Sequence, residues 1–119
     1  MRKTDLAYVA GIVDGEGCIN IHPNKTKHKP SYLLQVSISN TNEWLIQWFK
    51  FSFGGNAHCR AMKVENWKPL WEWKIVANKA KEFLKLIYPY LRLKKPQAEI
   101  AIKFQELRRG SGHHLTEGE

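Results

Sequence analysis

Between Leu6 and Val13, apolar residues fall on nearly every side of a helical wheel, and Asp14 and Glu16 close the run among Gly15 and Gly17. A helix that is hydrophobic all round is buried all round, so a single core does not cover it. Ala7, Gly11 and Gly15 recur every four residues and form one stripe of small side chains. Such a stripe lets a second helix backbone come close. A second copy of the helix brings a second Glu16 to the same place, and two adjacent carboxylates repel unless a cation lies between them. Thr4 is the expected N-cap, with Asp5 in the first turn, and the helix is expected to run to about Asp14 and stop at Gly15 or Gly17.

The pattern then changes to strict alternation. In Cys18–His22, Ile19 and Ile21 face one way while Cys18, Asn20 and His22 face the other. From Tyr32 to Ser39, Leu34, Val36 and Ile38 point inward; Leu33, Gln35, Ser37 and Ser39 point outward. Asn40, Thr41 and Asn42 offer caps for a helix through Phe53, closed by Gly54 and Gly55. Ala57–Val64 and Leu70–Val76 read as a hairpin around a loop near Glu65–Pro69. In its second strand Trp71, Trp73 and Ile75 turn inward and Glu72 and Lys74 outward. A third helix is expected from Asn78 to Leu86 or Ile87, before Pro89. A fourth begins near Pro96, which suits a first-turn position, and ends before Gly110. Residues 110–119 carry no periodic pattern and read as a flexible tail, which leaves 1–109 as the domain.

Helix, hairpin, helix, hairpin, helix, helix is an α+β order: four antiparallel strands with helices on one face. The opposite sheet face carries Asn20, His22, Gln35, Ser37, His58 and Arg60. An ordinary solvated sheet face has this polarity. These are also side chains that read base edges in a major groove, which a two-stranded ribbon fits. For Trp44, Trp48, Trp71 and Trp73, core packing is preferred over base stacking.

Composition sharpens the choice. At 43% hydrophobic, the 119 residues are not a disordered chain. A net charge of +8 favours a polyanionic partner: DNA, RNA or an anionic membrane surface. In the basic loop from Pro23 to Pro30, Lys25, Lys27 and Lys29 read as phosphate contacts. No apolar run approaches the roughly 20 residues needed to cross a bilayer, and the reading is an intracellular protein. Cys18 and Cys59 lack metal-ligand spacing and are expected to be small buried or half-buried residues.

Val9-Ala10-Gly11-Ile12-Val13-Asp14-Gly15-Glu16-Gly17 resembles the motif of the LAGLIDADG homing endonucleases. A weaker match, Pro89 to Ala98, is similar to the family's PxLxxKxxQA segment before its last helix. The resemblance spans roughly residues 4–109 and includes one copy of the motif. It implies the αββαββα fold, with a four-stranded antiparallel saddle sheet and helices on one face. It implies a homodimer joined at Ala7, Ala10, Gly11 and Asp14, cutting both strands of a long, near-palindromic DNA site as in intron homing.

The resemblance also implies roles. Glu16 is the metal ligand, with the Gly15 carbonyl near the ion; the ion is Mg²⁺, with Mn²⁺ or Ca²⁺ as a non-cleaving substitute. Lys94 borders the active site and Asn40 holds its solvent network. Asp14 has a helix-end, structural role. The DNA contacts are Asn20, His22, Lys25, Lys27, Gln35, Ser37, His58, Arg60 and Lys74. No protein nucleophile, small-molecule substrate or membrane partner is expected. The chain departs from the family after Asn40: Asn42, Glu43 and Trp44 stand where a basic residue is expected, and none follows until Lys50. That departure motivates an alternative, a cleavage-inactive DNA-binding regulator or RNA splicing maturase of the same fold.

Overall fold

The computed structural model describes residues 1–24, 31–60 and 69–108. Along these the chain forms α1 (Lys3–Glu16), β1 (Gly17–Pro23), β2 (Tyr32–Asn40), α2 (Glu43–Phe53), β3 (Asn56–Arg60), β4 (Leu70–Val76), α3 (Ala77–Ile87), a 3₁₀ turn (Tyr88–Tyr90) and α4 (Lys95–Arg108). The four strands make one antiparallel sheet in the order β1-β2-β4-β3. The expected element types and order hold throughout. Residues 61–64 of the expected third strand, most of its following loop, Lys25, Lys27 and the expected tail lie outside the described residues.

Alternation decides which face of the sheet is covered. Leu34, Val36, Ile38, Trp73 and Ile75 are buried under the helices in one cluster with Ile46, Phe49, Phe83, Leu84 and Ala98. Aromatic rings lock the centre: Phe53 meets Phe83 at 4.8 Å, Phe49 meets Trp73 at 5.0 Å and Trp73 meets Phe83 at 5.1 Å between centroids. The Trp73 indole N–H, which burial would otherwise leave unpaired, donates to the Gly54 carbonyl at 2.7 Å. Gly54 and Gly55 hold φ of +83° and +88°. A Cβ on Gly55 would collide with the Lys74 carbonyl oxygen, so the turn from α2 into β3 lies tight against β4.

Several boundaries and exposures differ from expectation. Arg2, not Thr4, is the N-cap of α1; its backbone N–H donates to the Asp5 carboxylate at 3.2 Å and the helix starts a residue before Thr4. At its other end α1 stops at Gly17, the later of the two expected glycines: the Gly17 N–H donates to the Val13 carbonyl, and a Cβ there would lie 2.9 Å from that oxygen. Cys18 and Cys59 are exposed free thiols rather than buried or half-buried. Trp73 is fully buried, and Trp48 and Trp71 are partly buried against the core, but Trp44 is 65% exposed, stacked on Trp48 instead of entering the core. Ser37, though on the polar face, is buried between neighbouring strands. Among the described residues no helix is long and apolar enough to cross a membrane.

Candidate active site and nucleic-acid interface

Glu16 ends α1, where its carboxylate is exposed. One of its oxygens, Oε1, accepts from the Asn40 side-chain amide at 3.0 Å. The Asn40 carbonyl oxygen in turn accepts from the Asn42 backbone N–H at 2.8 Å, and Asn42 Oδ1 caps α2 by accepting from the Leu45 N–H at 3.1 Å. A relay of two asparagines therefore ties the carboxylate to the end of β2 and the start of α2. Asn40, expected only to hold a solvent network, is placed directly against the Glu16 carboxylate. The first turn of α2 holds Glu43, and the helix's basic residue, Lys50, stands in its last turn, away from this relay.

Asp14, two residues earlier, faces its own chain. Its carboxylate accepts from the Arg92 N–H at 2.7 Å and the Lys94 N–H at 2.9 Å, while the Lys94 ammonium donates to the Asp14 carbonyl at 2.8 Å. Burial, the largest influence on this carboxyl, pushes its pKa up. Hydrogen bonds from the backbone of Lys94, Arg92 and Leu93, and the Lys94 charge, together outweigh that and hold the group below its ordinary value. An acid in the last turn of a helix opposes the helix dipole; here it anchors the segment before α4. Lys94 thus reaches the last turn of α1, close in sequence to Glu16, through a contact between residues 80 positions apart.

What could this end of α1 hold? Its donors are hard oxygens: the Glu16 carboxylate and the backbone carbonyls at the very end of the helix, Gly15 among them, beyond the Val13 and Asp14 carbonyls that Gly17 and Lys94 take. Among the described residues no three His, Cys, Asp or Glu stand together as a metal cluster. One carboxylate does not make a zinc-type site, which needs three or four protein ligands. It fits a Mg²⁺-type ion, which keeps waters and shares substrate phosphates.

The uncovered face of the sheet is set by register. Asn20 pairs with Gln35, Cys18 with Ser37, Ser37 with Lys74, and Glu72 with both Ser39 and His58. Asn20, His22, Gln35, Ser37, His58, Arg60 and Lys74 therefore share one face, as the alternation predicts. His22 Nε2 lies 3.3 Å from the Gln35 carbonyl oxygen. Sequence reading left Glu72 merely outward, yet its carboxylate lies 3.2 Å from His58 Nε2 and 3.9 Å from Lys74 Nζ. The signal was there, since an acid among cations on a basic face asks for partners, but the β3–β4 register was not.

The small-residue stripe divides. Val9, Ala10 and Val13 are fully buried in the chain's own core, whereas Ala7, Gly11 and Gly15 are exposed. A Cβ added to Gly11 or Gly15 would meet nothing within 4 Å. Ala10 is thus corrected from an interface residue to a core residue: it lies a 100° step from Gly11 around the helix, on the side facing the sheet. Ala7, Gly11 and the edge of Asp14 line a shallow groove of about 440 Å³ with Pro89, Tyr90 and Arg92.

Residues 9–108 match the family model described as LAGLIDADG endonuclease. A curated relative, the DNA endonuclease I-CreI of Chlamydomonas reinhardtii, is 33% identical over 110 residues, covering 88% of this chain and 64% of the relative. The chain therefore spans just under two thirds of that protein's length. Among solved structures, the homing endonuclease I-CvuI in complex with its target in the presence of Ca superposes with a TM-score of 0.76 at 21% identity, covering 92% of this chain and 70% of that one. The archaeal intron-encoded homing endonuclease I-Vdi141I, complexed with DNA, gives 0.73 at 17% identity over 93% of this chain and 73% of its own.

Proposed function

The chain belongs to the LAGLIDADG endonuclease family, and from that premise we propose that it is a homodimeric, Mg²⁺-dependent endonuclease that cuts both strands of a specific, near-palindromic DNA site. One observation carries the reading: the Glu16 carboxylate stands exposed at the end of α1, fixed by Asn40, where the polar sheet face begins and beside an uncovered stripe of Ala7, Gly11 and Gly15. The names of the relatives, a DNA endonuclease and homing endonucleases in DNA complexes, agree with it.

Each part has a physical role. The stripe lets two copies of α1 approach at a two-fold axis, which brings two Glu16 residues together, and a two-fold protein reads a two-fold site. Glu16, with the Gly15 carbonyl, would hold the cation, and Asn40 fixes the direction of the carboxylate. When bound, the ion supplies an activated water and neutralises charge on the phosphoryl oxygens; Mn²⁺ would substitute and Ca²⁺ would bind without cleavage. Lys94 keeps a positive charge at the last turn of α1, where it can offset charge developing on the phosphate. Asn20, His22, Gln35, His58, Arg60 and Lys74 line the groove-facing surface, and Lys25 and Lys27 supply phosphate contacts.

The test is cleavage. Purified protein with Mg²⁺ and a duplex selected from a randomised pool should give double-strand cuts, and Glu16→Gln should bind the same duplex without cutting it. Equal cutting by Glu16→Gln removes the proposed role of that carboxylate. A second reading, a non-cutting DNA-binding regulator or RNA maturase, is favoured by the absence of a basic residue from the first turn of α2. Tight, site-specific binding by the wild type without Mg²⁺-dependent cleavage would select it.

A further inference from the structure

Glu72 is the one acidic residue in the four described strands. It lies on the uncovered face, where a carboxylate repels the phosphates of an approaching duplex. Its surroundings explain its presence. The Glu72 side chain is 14% exposed, sunk into the floor of the sheet, while the side chains beside it stand higher: His58 is 46% exposed and Lys74 39%. Both reach back to the same carboxylate oxygen, Oε1.

A lysine and a histidine that share one half-buried carboxylate differ from two free side chains. Free lysines make phosphate contacts with many orientations, and these carry no sequence information. A side chain whose terminal nitrogen rests near a carboxylate loses part of that freedom and part of its pull on phosphate. Lys74 keeps further N–H donors with a narrowed range of direction, which suits the acceptors of a purine edge, above all guanine O6 and N7.

Register also says where this donor acts. Gly17 pairs with Ile38, so Ser39 is the next residue of β2 toward the Glu16 end of the sheet. Ser39 pairs with Glu72, and Glu72 with His58. The row Ser39–Glu72–His58 therefore crosses the sheet at the end where the Glu16 carboxylate stands.

We propose that Glu72 is a positioning residue for DNA specificity: it aims Lys74 and His58 at the edges of the base pairs next to the cleaved bonds, rather than at phosphate. The inference rests on the DNA-cutting reading above. It gives Glu72 a signature that a merely structural role lacks, because removing its charge should loosen sequence preference while strengthening general attraction to DNA.

The experiment selects duplexes from a randomised pool with the wild type, Glu72→Gln and His58→Gln, each first checked by thermal melting. The wild type should enrich a site with a strong guanine preference at an inner position of each half. Glu72→Gln should enrich the same outer positions but lose that preference by about five- to tenfold, and should bind random-sequence duplex more tightly at low salt. His58→Gln combined with Glu72→Gln should lose little beyond the single variants. An unchanged base profile for Glu72→Gln overturns the proposal, as does an equal loss at every position. A wild type that enriches no duplex at all overturns the DNA-cutting reading itself, and this inference with it.

Discussion

Asn40 donates to Glu16 across 3.0 Å, joining the last residue of β2 to the last residue of α1. The same Asn40 accepts from the Asn42 N–H at 2.8 Å, so its amide cannot turn without losing both contacts. Asn40→Ala should therefore lower Mg²⁺-dependent cleavage by about 10- to 100-fold, as expected when the partner of a metal-binding carboxylate is lost. DNA affinity should change little. Asn40→Asp restores the acceptor for Asn42 but sets a carboxylate against Glu16, and should not recover activity. Single-turnover cleavage beside equilibrium binding measures both.

Asp14 sets a pH dependence for folding. Its carboxyl titrates below its ordinary value because the backbone N–H groups of the segment before α4 bind the charged form. The folded state thus holds its proton less tightly than the unfolded chain. The stabilisation is complete above the ordinary carboxylate range and is lost as pH falls through the folded pKa. Asp14→Asn should cost about 1–3 kcal/mol at neutral pH, and the gap between the two proteins should narrow between about pH 5 and pH 2. Urea unfolding across that range tests it; a gap that stays constant would refute the assignment.

Gly11 separates folding from self-association. A Cβ there would meet nothing within 4 Å. Gly11→Ala should raise the stability of the protein, by up to about 1 kcal/mol from helix propensity. Gly11→Leu should also fold, yet sediment as a monomer and fail to cut, because the added bulk holds two α1 helices apart. A Gly11→Leu protein that still sediments as a dimer would place the interface elsewhere.

Gly55 carries a purely structural prediction. Its φ of +88° and the Lys74 carbonyl beside it leave no room for a methyl group. Gly55→Ala should destabilise by about 2–4 kcal/mol, combining left-handed strain with overpacking, and should shift β3 away from β4. Thermal melting reads the loss, and a Tm equal to wild type would contradict the turn geometry.

Much of this was legible in the residues. Alternation in Cys18–His22 and Tyr32–Ser39 set which side chains share a face, and the family resemblance implied a helix-end, structural role for Asp14. The identity of its donors was not readable: Arg92 and Lys94 are 78 and 80 positions away. Nor was the split between Ala7 and Ala10, since a helix with apolar residues all round gives no phase from its own pattern. Trp44 went the same way: Trp48 lies beside it on α2 by helical period, but only the docking of α2 leaves Trp44 stacked on the surface instead of entering the core.

By itself, then, the sequence determined element type, strand faces and the acidic motif at Glu16, because helical and strand periods are local properties of neighbouring residues. Tertiary structure alone decided which side of α1 stays open, which backbone Asp14 holds, and that Glu72 sits between His58 and Lys74. Those outcomes depend on strand register and helix docking, where free energy is shared among segments far apart in the chain and no short window of residues contains the answer.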